Sequence, residues 1–161
     1  MHPFGEYSLT LEAFAWVLRH CPPGSHVLEL GAGAATRAMA ACDLKVTSVE
    51  HDAKWASKVP GAIHAPIVDR WYDTSILETT LPRLQYSLLI IDGPPRGYDR
   101  TQILGHLDLF DLSVAILIDD THRNDGDTIA KALIDRLAGR KAVQIKTWNP
   151  RHHAMAIMPA V

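Results

Sequence analysis

Two short runs of apolar residues constrain the fold most, because each is apolar on both faces of a strand. They are Tyr86 to Ile91 (YSLLII) and Val114 to Ile118 (VAILI). A strand with this pattern is buried on both sides, which is typical of the centre of a parallel sheet covered by helices. The two runs therefore predict an α/β domain built around a central parallel pair.

Strand-like runs alternate with helical segments along most of the chain. The predicted strands are His26 to Leu30, Lys45 to Val49, Ala62 to Val68 (weakened by Pro66), Tyr86 to Ile91, Val114 to Ile118, Val143 to Trp148 and Ala154 to Met158. The predicted helices begin near Leu11, within Gly31 to Ala41, around Trp55, at Ile103 to Phe110 and at Ile129 to Leu137. This order predicts a Rossmann-like, doubly wound α/β fold with a seven-stranded, mostly parallel sheet. The last two strands are joined through Asn149 and Pro150, which predicts an antiparallel C-terminal edge hairpin.

The chain has the size and composition of one globular unit. Its 161 residues are 47% hydrophobic and 21% charged, which excludes a disordered chain and a collagen-like repeat. We expect a single minimal domain over 1–161, with an N-terminal helix in 1–24 and the core sheet in 25–161.

Charge and targeting patterns limit the expected partners. The formal net charge is -2, so no overall positive field would draw the protein to nucleic acid or to an anionic membrane. Cys21 and Cys42 have no CxxC spacing, and the sequence shows neither a signal-peptide pattern nor an apolar run close to the ~20 residues that span a bilayer. We expect a cytoplasmic protein with no membrane partner, and a homodimer stays an open alternative.

A glycine turn follows the first predicted strand. Gly31 and Gly33 lie within Glu29 to Thr36 (ELGAGAAT), and residues without a Cβ let the backbone turn sharply and approach a ligand. A dinucleotide-binding turn would have a third glycine where this chain has Thr36. Glu50 ends the second predicted strand, where an acidic side chain can accept both ribose hydroxyls of an adenosine. Together these residues predict a nucleoside pocket.

The Glu-x-Gly-x-Gly turn, with an acid at the end of the next strand, resembles the class I S-adenosylmethionine-dependent methyltransferases. The likeness in strand and helix order extends over nearly the whole chain. It implies that S-adenosyl-L-methionine is the cofactor. The cofactor-binding residues that it implies are Glu29, Gly31, Gly33 and Thr36 at the methionine end, Glu50 at the ribose, His51 or Asp69 near the adenine, and Asp92.

The loop after the fourth predicted strand, Asp92 to Tyr98 (DGPPRGY), has two interpretations. The first is an altered Asp-Pro-Pro-Tyr loop, which would present a carbonyl and an aromatic ring to a planar amine. The second combines Asp92 with Asp119 and Asp120, which follow the fifth strand. Three carboxylates at neighbouring strand ends repel one another, and Mg²⁺ or Mn²⁺ would relieve that repulsion.

The carboxylate set resembles the cation-dependent O-methyltransferases of the catechol type. The resemblance implies that Asp92, Asp119 and Asp120 hold the metal, whereas the family's catalytic lysine is replaced by Pro95 and the nearest cation is Arg96. In the competing interpretation, the two later aspartates only cap the next helix or form ion pairs. Their possible ion-pair partners are Arg96, Arg100 and Arg123.

A further resemblance, to the plant glucuronoxylan O-methyltransferases, rests on the loop Asp92 to Tyr98, on Tyr72 to Thr74 (YDT), and on the segment from Val49 to Trp55. It points to a small-molecule or glycan hydroxyl as the methyl acceptor. The predicted catalytic residues are Asp92, Arg96 and His122.

Other functions remain open at this point. The chain could be a cofactor-binding partner or inactive subunit of the same fold, an N-methyltransferase that uses the loop after Asp92, or an NAD-linked oxidoreductase. His122, His152 and His153 have no zinc-ligand spacing in the sequence, so we expect them at a surface or pocket rim.

Overall fold

A computed structural model describes residues 9–148 and 152–159. The strands are β1 (His26–Leu30), β2 (Lys45–Glu50), β3 (Ile63–His64), β4 (Ile67–Val68), β5 (Trp71–Tyr72), β6 (Leu88–Ile91), β7 (Ala115–Ile118), β8 (Ala142–Lys146) and β9 (His153–Ile157). The helices are α1 (Leu11–His20), α2 (Ala34–Ala41), α3 (Ala53–Ala56), α4 (Thr74–Thr80) and α5 (Asn124–Arg136). Short 3₁₀ turns lie at Leu81–Arg83, Arg100–Gly105 and Leu107–Leu109.

Seven strands form one sheet in the order β3-β2-β1-β6-β7-β9-β8. Strands β3, β2, β1, β6 and β7 run parallel, whereas β9 pairs antiparallel with both β7 and β8. The predicted α/β fold and its antiparallel edge hairpin are confirmed. The predicted hairpin connection at Asn149 and Pro150 lies outside the described residues.

The core lies on both faces of this sheet, as the apolar runs predict. In β6, Leu88 and Ile90 pack into one buried cluster with α1 and α2, while Leu89 and Ile91 pack into the other with α5. All four side chains are fully buried. Burying an apolar side chain of this size contributes about 1.5–3 kcal/mol, so a polar replacement in β6 would be strongly destabilising.

Local sequence signals explain where α1 begins. The Thr10 side chain accepts a hydrogen bond from the Ala13 amide at 3.2 Å, which satisfies one of the amides left unpaired at a helix start. Thr10 is therefore the residue that caps α1. No helix in the part of the chain that the structure describes is both long and apolar enough to cross a bilayer.

Two predicted elements are wrong in detail. The predicted strand over Ala62 to Val68 divides at Pro66: Ile63–His64 joins the main sheet, and Ile67–Val68 pairs instead with β5 in a separate two-stranded sheet. The predicted helix over Ile103 to Phe110 is two 3₁₀ turns, Arg100–Gly105 and Leu107–Leu109. Its apolar residues are buried as expected, but Gly105 interrupts the segment and each turn is too short to propagate an α-helix.

Candidate active site

The carboxyl ends of the parallel strands meet at one edge of the sheet. Leu30 is in register with Val49 on one side and with Ile91 on the other, and Ile91 is in register with Ile118. The residues that follow these positions therefore come together. They are Gly31, Glu50, Asp92 and Asp119. In sheets of this type, ligands bind beyond the carboxyl ends, where the strand order reverses.

The loops after β1 and β6 approach each other backbone to backbone. Gly31 has φ +96°, and a Cβ there would lie 3.3 Å from the Cα and N of Gly93. A Cβ on Gly93 would lie 2.2 Å from the Tyr72 hydroxyl and 3.0 Å from the Gly31 backbone. Gly31 requires glycine because of its positive φ. Both positions require glycine because a Cβ would meet the backbone of the opposite loop.

Glu29 fixes the turn that leads into α2. Its Oε2 atom accepts hydrogen bonds from the hydroxyls of Thr36 at 2.6 Å and Ser48 at 2.8 Å. The Thr36 hydroxyl in turn accepts from the Gly33 amide at 2.8 Å. Burial raises the pKa of Glu29 to about 7, although both hydroxyl hydrogen bonds act in the opposite direction. The predicted residues of the methionine end thus form one hydrogen-bonded unit.

Glu50 ties the end of β2 to the glycine turn. Its Oε2 atom accepts a hydrogen bond from the Ala32 amide at 3.0 Å, and its Oε1 atom accepts one from the Asp52 amide at 2.8 Å. His51 Nδ1 also lies 2.8 Å from Oε1. The His51 ring packs edge-on against Tyr98, with ring centroids 5.5 Å apart. The structure therefore brings the predicted ribose and adenine residues Glu50 and His51 together beside the loop that follows β6.

Asp69 lies at a pocket that shares Tyr72 with the candidate active site. It is exposed, has φ +48°, and lines this pocket of about 230 Å³ together with Tyr72, Gln102 and His106. Its carbonyl accepts a hydrogen bond from the Gln102 side chain at 2.6 Å. Nothing in this arrangement connects Asp69 with His51, so its assignment to the adenine stays a prediction.

A buried arginine lies among the three predicted metal ligands. Arg100 Nη2 is 3.8 Å from Asp92 Oδ1 and 3.7 Å from Asp120 Oδ2, and it donates a hydrogen bond to the Asp92 carbonyl at 2.7 Å. The side chain of Arg100 is only 2% exposed. Its guanidinium offsets negative charge of the carboxylates, which is the role that the sequence analysis gave to a divalent ion. An ion held by Asp92, Asp119 and Asp120 together would lie beside this guanidinium, and that ligand set stays a prediction from the sequence alone.

The buried carboxyls near Arg100 hold their protons more tightly than free aspartic acid does. Burial, with the charge of Asp119 as the second cause, raises the pKa of Asp92 well above its usual range. Burial and the charge of Asp120 raise the pKa of Asp119 to about 7. Perturbed acids of this kind in a cleft are typical of functional sites.

Asp120 forms the ion pairs that the competing interpretation proposed. Its Oδ2 atom lies 2.7 Å from Arg123 Nη1 in addition to its contact with Arg100. The capping alternative is wrong, because the residue that caps α5 is Arg123, with no side-chain hydrogen bond. Asp120 itself has φ +57°, and Gly126 packs directly beneath its carbonyl.

Two residues at this edge were not among the predicted catalytic or cofactor residues. The sequence favoured Arg96 as the catalytic cation, but Arg96 is exposed and Arg100 takes the central place. Tyr72 is buried beside Gly93, and its hydroxyl has no hydrogen-bond partner among the described residues. Burial, followed by the negative charge of Glu50, raises the pKa of Tyr72 well above its usual range. The sequence signals for these residues were indirect. Arg100 was one of three possible ion-pair partners of Asp119 and Asp120, and Tyr72 belonged to the YDT segment that resembles the glucuronoxylan O-methyltransferases.

His122 lies at the outer side of the same edge. Its ring packs against the ring of His152 with centroids 4.4 Å apart, and its Nε2 atom is 3.9 Å from Asp120 Oδ1. Desolvation lowers the pKa of His122, although Asp120 acts in the opposite direction. The structure thus brings predicted catalytic residues Asp92 and His122 to one edge and leaves Arg96 exposed beside them.

Comparison with known proteins identifies the fold. No protein-family profile matches the sequence, and no curated protein matches it either. Solved structures do match. A TehB-like SAM-dependent methyltransferase from Corynebacterium glutamicum has a TM-score of 0.58 at 11% identity, over 92% of this chain and 88% of that one. The fold is that of the SAM-dependent methyltransferases.

Other structures with this fold act on different atoms. A release factor-specific protein-(glutamine-N5) methyltransferase from Alicyclobacillus acidocaldarius has a TM-score of 0.55 at 15% identity, over 90% of this chain and 88% of that one. A putative caffeoyl-CoA O-methyltransferase from Staphylococcus aureus has a TM-score of 0.55 at 12% identity, over 83% and 76%. The fold alone therefore leaves the methyl acceptor open.

Proposed function

We propose that this protein is an S-adenosylmethionine-dependent methyltransferase that methylates a hydroxyl oxygen of a small molecule or sugar. The observation that carries the proposal is the backbone contact between Gly31 and Gly93 at the carboxyl edge of the sheet, flanked by Glu29 and Glu50. This contact lies at the strand-order reversal, which is where a nucleoside cofactor binds in such sheets.

The cofactor residues have distinct roles in this proposal. Glu29 and Thr36 hold the glycine turn in shape, so that its backbone can lie against the methionine part of the cofactor. Glu50 already accepts backbone amides from both sides and presents its carboxylate to the ribose hydroxyls. His51 and Tyr98 form the wall next to it, where a planar adenine would pack.

The chemistry is a displacement at the sulfonium methyl of the cofactor. The acceptor oxygen forms a bond to the methyl carbon while the carbon–sulfur bond breaks, and the hydroxyl proton leaves to a base. S-adenosylhomocysteine and the methyl ether are the products. Because the cofactor carries the activated methyl group, the protein mainly aligns the oxygen, carbon and sulfur atoms.

Two groups of this chain can take the proton. His122 is neutral near pH 7, since its pKa is lowered from its ordinary value of 6.5 by desolvation. Asp92 lies next to the Gly31–Gly93 contact, and its raised pKa makes it a stronger base when ionised. Arg100 is fixed beside Asp92 and stabilises negative charge that develops on the acceptor oxygen.

The Arg100 contacts favour an oxygen acceptor over an amine. An amine-methylating loop uses a free main-chain carbonyl after β6 to accept a hydrogen bond from the amine. Here the Asp92 carbonyl accepts from Arg100 Nη2 at 2.7 Å and the Pro94 carbonyl accepts from its Nε at 3.4 Å. The aromatic residue of the loop, Tyr98, lies against His51 instead.

The proposal is tested by binding and turnover measured separately. Calorimetric titration with S-adenosylhomocysteine should show one site per chain with a micromolar dissociation constant, or about -8 kcal/mol. Transfer of a labelled methyl group to a panel of sugars, phenols and amines should then favour hydroxyl acceptors. Asp92→Asn should keep the cofactor affinity within a few-fold and lower turnover by about 10²–10⁴-fold. Asp108→Asn, an exposed acid, is the matched control and should leave turnover unchanged.

The outcomes separate the competing functions. Cofactor binding without turnover on any acceptor class would favour a cofactor-binding partner or inactive subunit. Methyl transfer to amines only would show that the acceptor atom is nitrogen and not oxygen. An unchanged rate in Asp92→Asn would remove this residue from the reaction, and the absence of cofactor binding would reject the proposal as a whole.

A further inference from the structure

Three metal-binding side chains from two segments of the chain meet beside the proposed active site. Asp120 and His122 follow β7, and His152 immediately precedes β9. Each offers one ligand atom, and the three atoms all lie within 4.8 Å of one another. Within residues 9–148 and 152–159, these are the three His, Cys, Asp or Glu side chains whose ligand atoms lie this close together.

We propose that Asp120, His122 and His152 form a binding site for a first-row transition-metal ion such as Zn²⁺. Two atoms that each lie about 2 Å from one ion are about 3–4 Å apart. The His122 Nε2 to Asp120 Oδ1 distance of 3.9 Å is therefore too long for a hydrogen bond but suits a shared ion. Small rotations of these three side chains would bring all three ligand atoms to the spacing that one ion requires.

The two sides of the Asp120 carboxylate have separate roles. Its Oδ2 atom is held by Arg123 at 2.7 Å and lies 3.7 Å from Arg100. Its Oδ1 atom lies 3.9 Å from His122 Nε2. The arginines thus fix the orientation of the carboxylate and leave one oxygen available as a ligand.

The ring nitrogens of His122 are available to an ion. An imidazole binds a metal through a nitrogen that carries no proton. The Nδ1 atom of His122 is buried and has no hydrogen-bond partner among the described residues, and its Nε2 atom lies 3.9 Å from Asp120 Oδ1. Either nitrogen can therefore serve as the ligand atom.

The surrounding charge allows a divalent ion despite the two arginines. The acids of this edge are Asp92, Asp119, Asp120 and Asp125, and the arginines that pair with them are Arg100 and Arg123. Both guanidinium groups are thus already paired with carboxylates, so a bound cation would not face an unpaired positive charge.

The donor set indicates the kind of ion. Two imidazoles and one carboxylate suit Zn²⁺ and its first-row neighbours, whereas Mg²⁺ and Ca²⁺ prefer oxygen ligands alone. Three protein ligands leave at least one coordination position for water or for an oxygen of another molecule. A role for that position in binding the methyl acceptor rests on the proposed function, in which Asp92 takes the proton when His122 holds the ion. Ion binding itself does not depend on the proposed function.

The test is calorimetric titration of the metal-free protein with Zn²⁺ and, separately, with Mg²⁺. The wild-type chain should bind one Zn²⁺ and no Mg²⁺ at this site. His122→Ala and His152→Ala should each weaken Zn²⁺ binding by about tenfold or more. His64→Ala is the matched control, because His64 is an exposed histidine on β3 that should not affect the site.

Two further measurements keep the result interpretable. Thermal unfolding without metal shows that each variant is folded before it is titrated. X-ray absorption at the zinc edge of the wild-type complex should report two imidazole ligands and no sulfur, whatever the variants do. If His122→Ala and His152→Ala bind Zn²⁺ as tightly as the control His64→Ala does, the proposed site is wrong. An oxygen-only zinc environment would also overturn it. Titration with S-adenosylhomocysteine alone tests the proposed function separately, so either result can fail without the other.

Discussion

Gly93 shows how closely single residues determine the candidate active site. Its backbone lies against Gly31, and an added methyl group would meet the Tyr72 hydroxyl at 2.2 Å and the Gly31 backbone at 3.0 Å. We expect Gly93→Ala to lower the free energy of unfolding by about 1–3 kcal/mol and to weaken S-adenosylhomocysteine binding by at least about tenfold. Thermal unfolding and calorimetry measure the two effects.

The control for this substitution is Gly105→Ala, because a Cβ on Gly105 has no neighbour within 4 Å. Adding Tyr72→Phe to Gly93→Ala removes the shorter of the two contacts and should restore part of the stability. An alanine at position 93 that leaves cofactor affinity unchanged would show that the contact between the two loops does not shape the binding site.

Glu29 gives the protein a pH-dependent stability. Its pKa is raised in the folded chain from 4.5 to about 7, so the folded state binds the proton more tightly than the unfolded state does. The free energy of unfolding should therefore fall as the pH rises through this interval, by up to about 3 kcal/mol. Glu29→Gln keeps an oxygen that accepts from Thr36 and Ser48 but removes the titration.

The measurement is urea unfolding of the wild type and Glu29→Gln between about pH 5 and pH 8. The variant should gain stability relative to the wild type as the pH rises. Asp119 titrates in the same range in both proteins, so it cancels from the difference. Glu78→Gln, an exposed acid on α4, serves as the control and should show a constant difference. A constant difference for Glu29→Gln as well would contradict the raised pKa.

Local sequence patterns predicted which residues follow the strands, but not which side chains those residues contact in the folded chain. Glu29, Gly31 and Glu50 could be named from the sequence because their positions in the strand–turn pattern fix their place at the sheet edge. Arg100 was named only as a possible ion-pair partner and His152 only as a surface or rim residue, because their contacts with Asp120 and His122 join different segments of the chain. The distance between such residues depends on how the segments pack, which no local pattern contains.

At the scale of elements, the start of α5 supports the turn that carries Asp119 and Asp120. A Cβ on Gly126 would lie 2.5 Å from the Asp120 carbonyl oxygen. The turn cannot easily move, because Asp120 already has φ +57° and the Asp119 amide donates to Ile91 at 3.1 Å. The helix and the turn therefore determine each other's position.

We expect Gly126→Ala to displace this turn even though alanine favours helices. The steric effect should exceed the helix-propensity gain of about 1 kcal/mol and lower the midpoint of thermal unfolding by several degrees. It should also weaken Zn²⁺ binding, because Asp120 supplies one ligand of the proposed site. Lys131→Ala, on the exposed face of the same helix, is the comparison and should change neither property. A stabilised Gly126→Ala protein would show that the contact is not restrictive.

Some helices and strands were predicted more accurately than others, and the reason is physical. The bounds of β1 and α2 agree with prediction because a strong apolar or glycine pattern marks both ends. The segment from Ile103 to Phe110 has a helical apolar pattern, yet it forms two 3₁₀ turns that meet at Gly105 and His106, with Ile103, Leu107 and Phe110 buried. Packing decided the conformation there.

For the whole molecule, the order of strands is the most informative result. The arrangement β3-β2-β1-β6-β7-β9-β8 places the reversal between β1 and β6, directly at the Gly31–Gly93 contact. Alternating strands and helices predicted a doubly wound, mostly parallel sheet, because parallel strands need crossover connections, but they did not predict the order of its strands. The division into 1–24 and 25–161, the methyl acceptor and a homodimer stay predictions.

A ligand that binds only the folded chain stabilises it, so thermal unfolding can identify the nucleoside that the edge of the sheet accepts. At about one hundred times its dissociation constant, S-adenosylhomocysteine should add about 2.7 kcal/mol to the free energy of unfolding and raise the midpoint by several degrees. NAD should give no shift at the same concentration, because Thr36 replaces the third glycine and Glu29 lies where pyrophosphate would bind. Glu50→Gln should reduce the S-adenosylhomocysteine shift, since a neutral amide accepts the ribose hydroxyls less strongly than a carboxylate does. A larger shift with NAD would mean that the same pocket serves a dinucleotide, and the methyltransferase proposal would then be wrong although the fold is right.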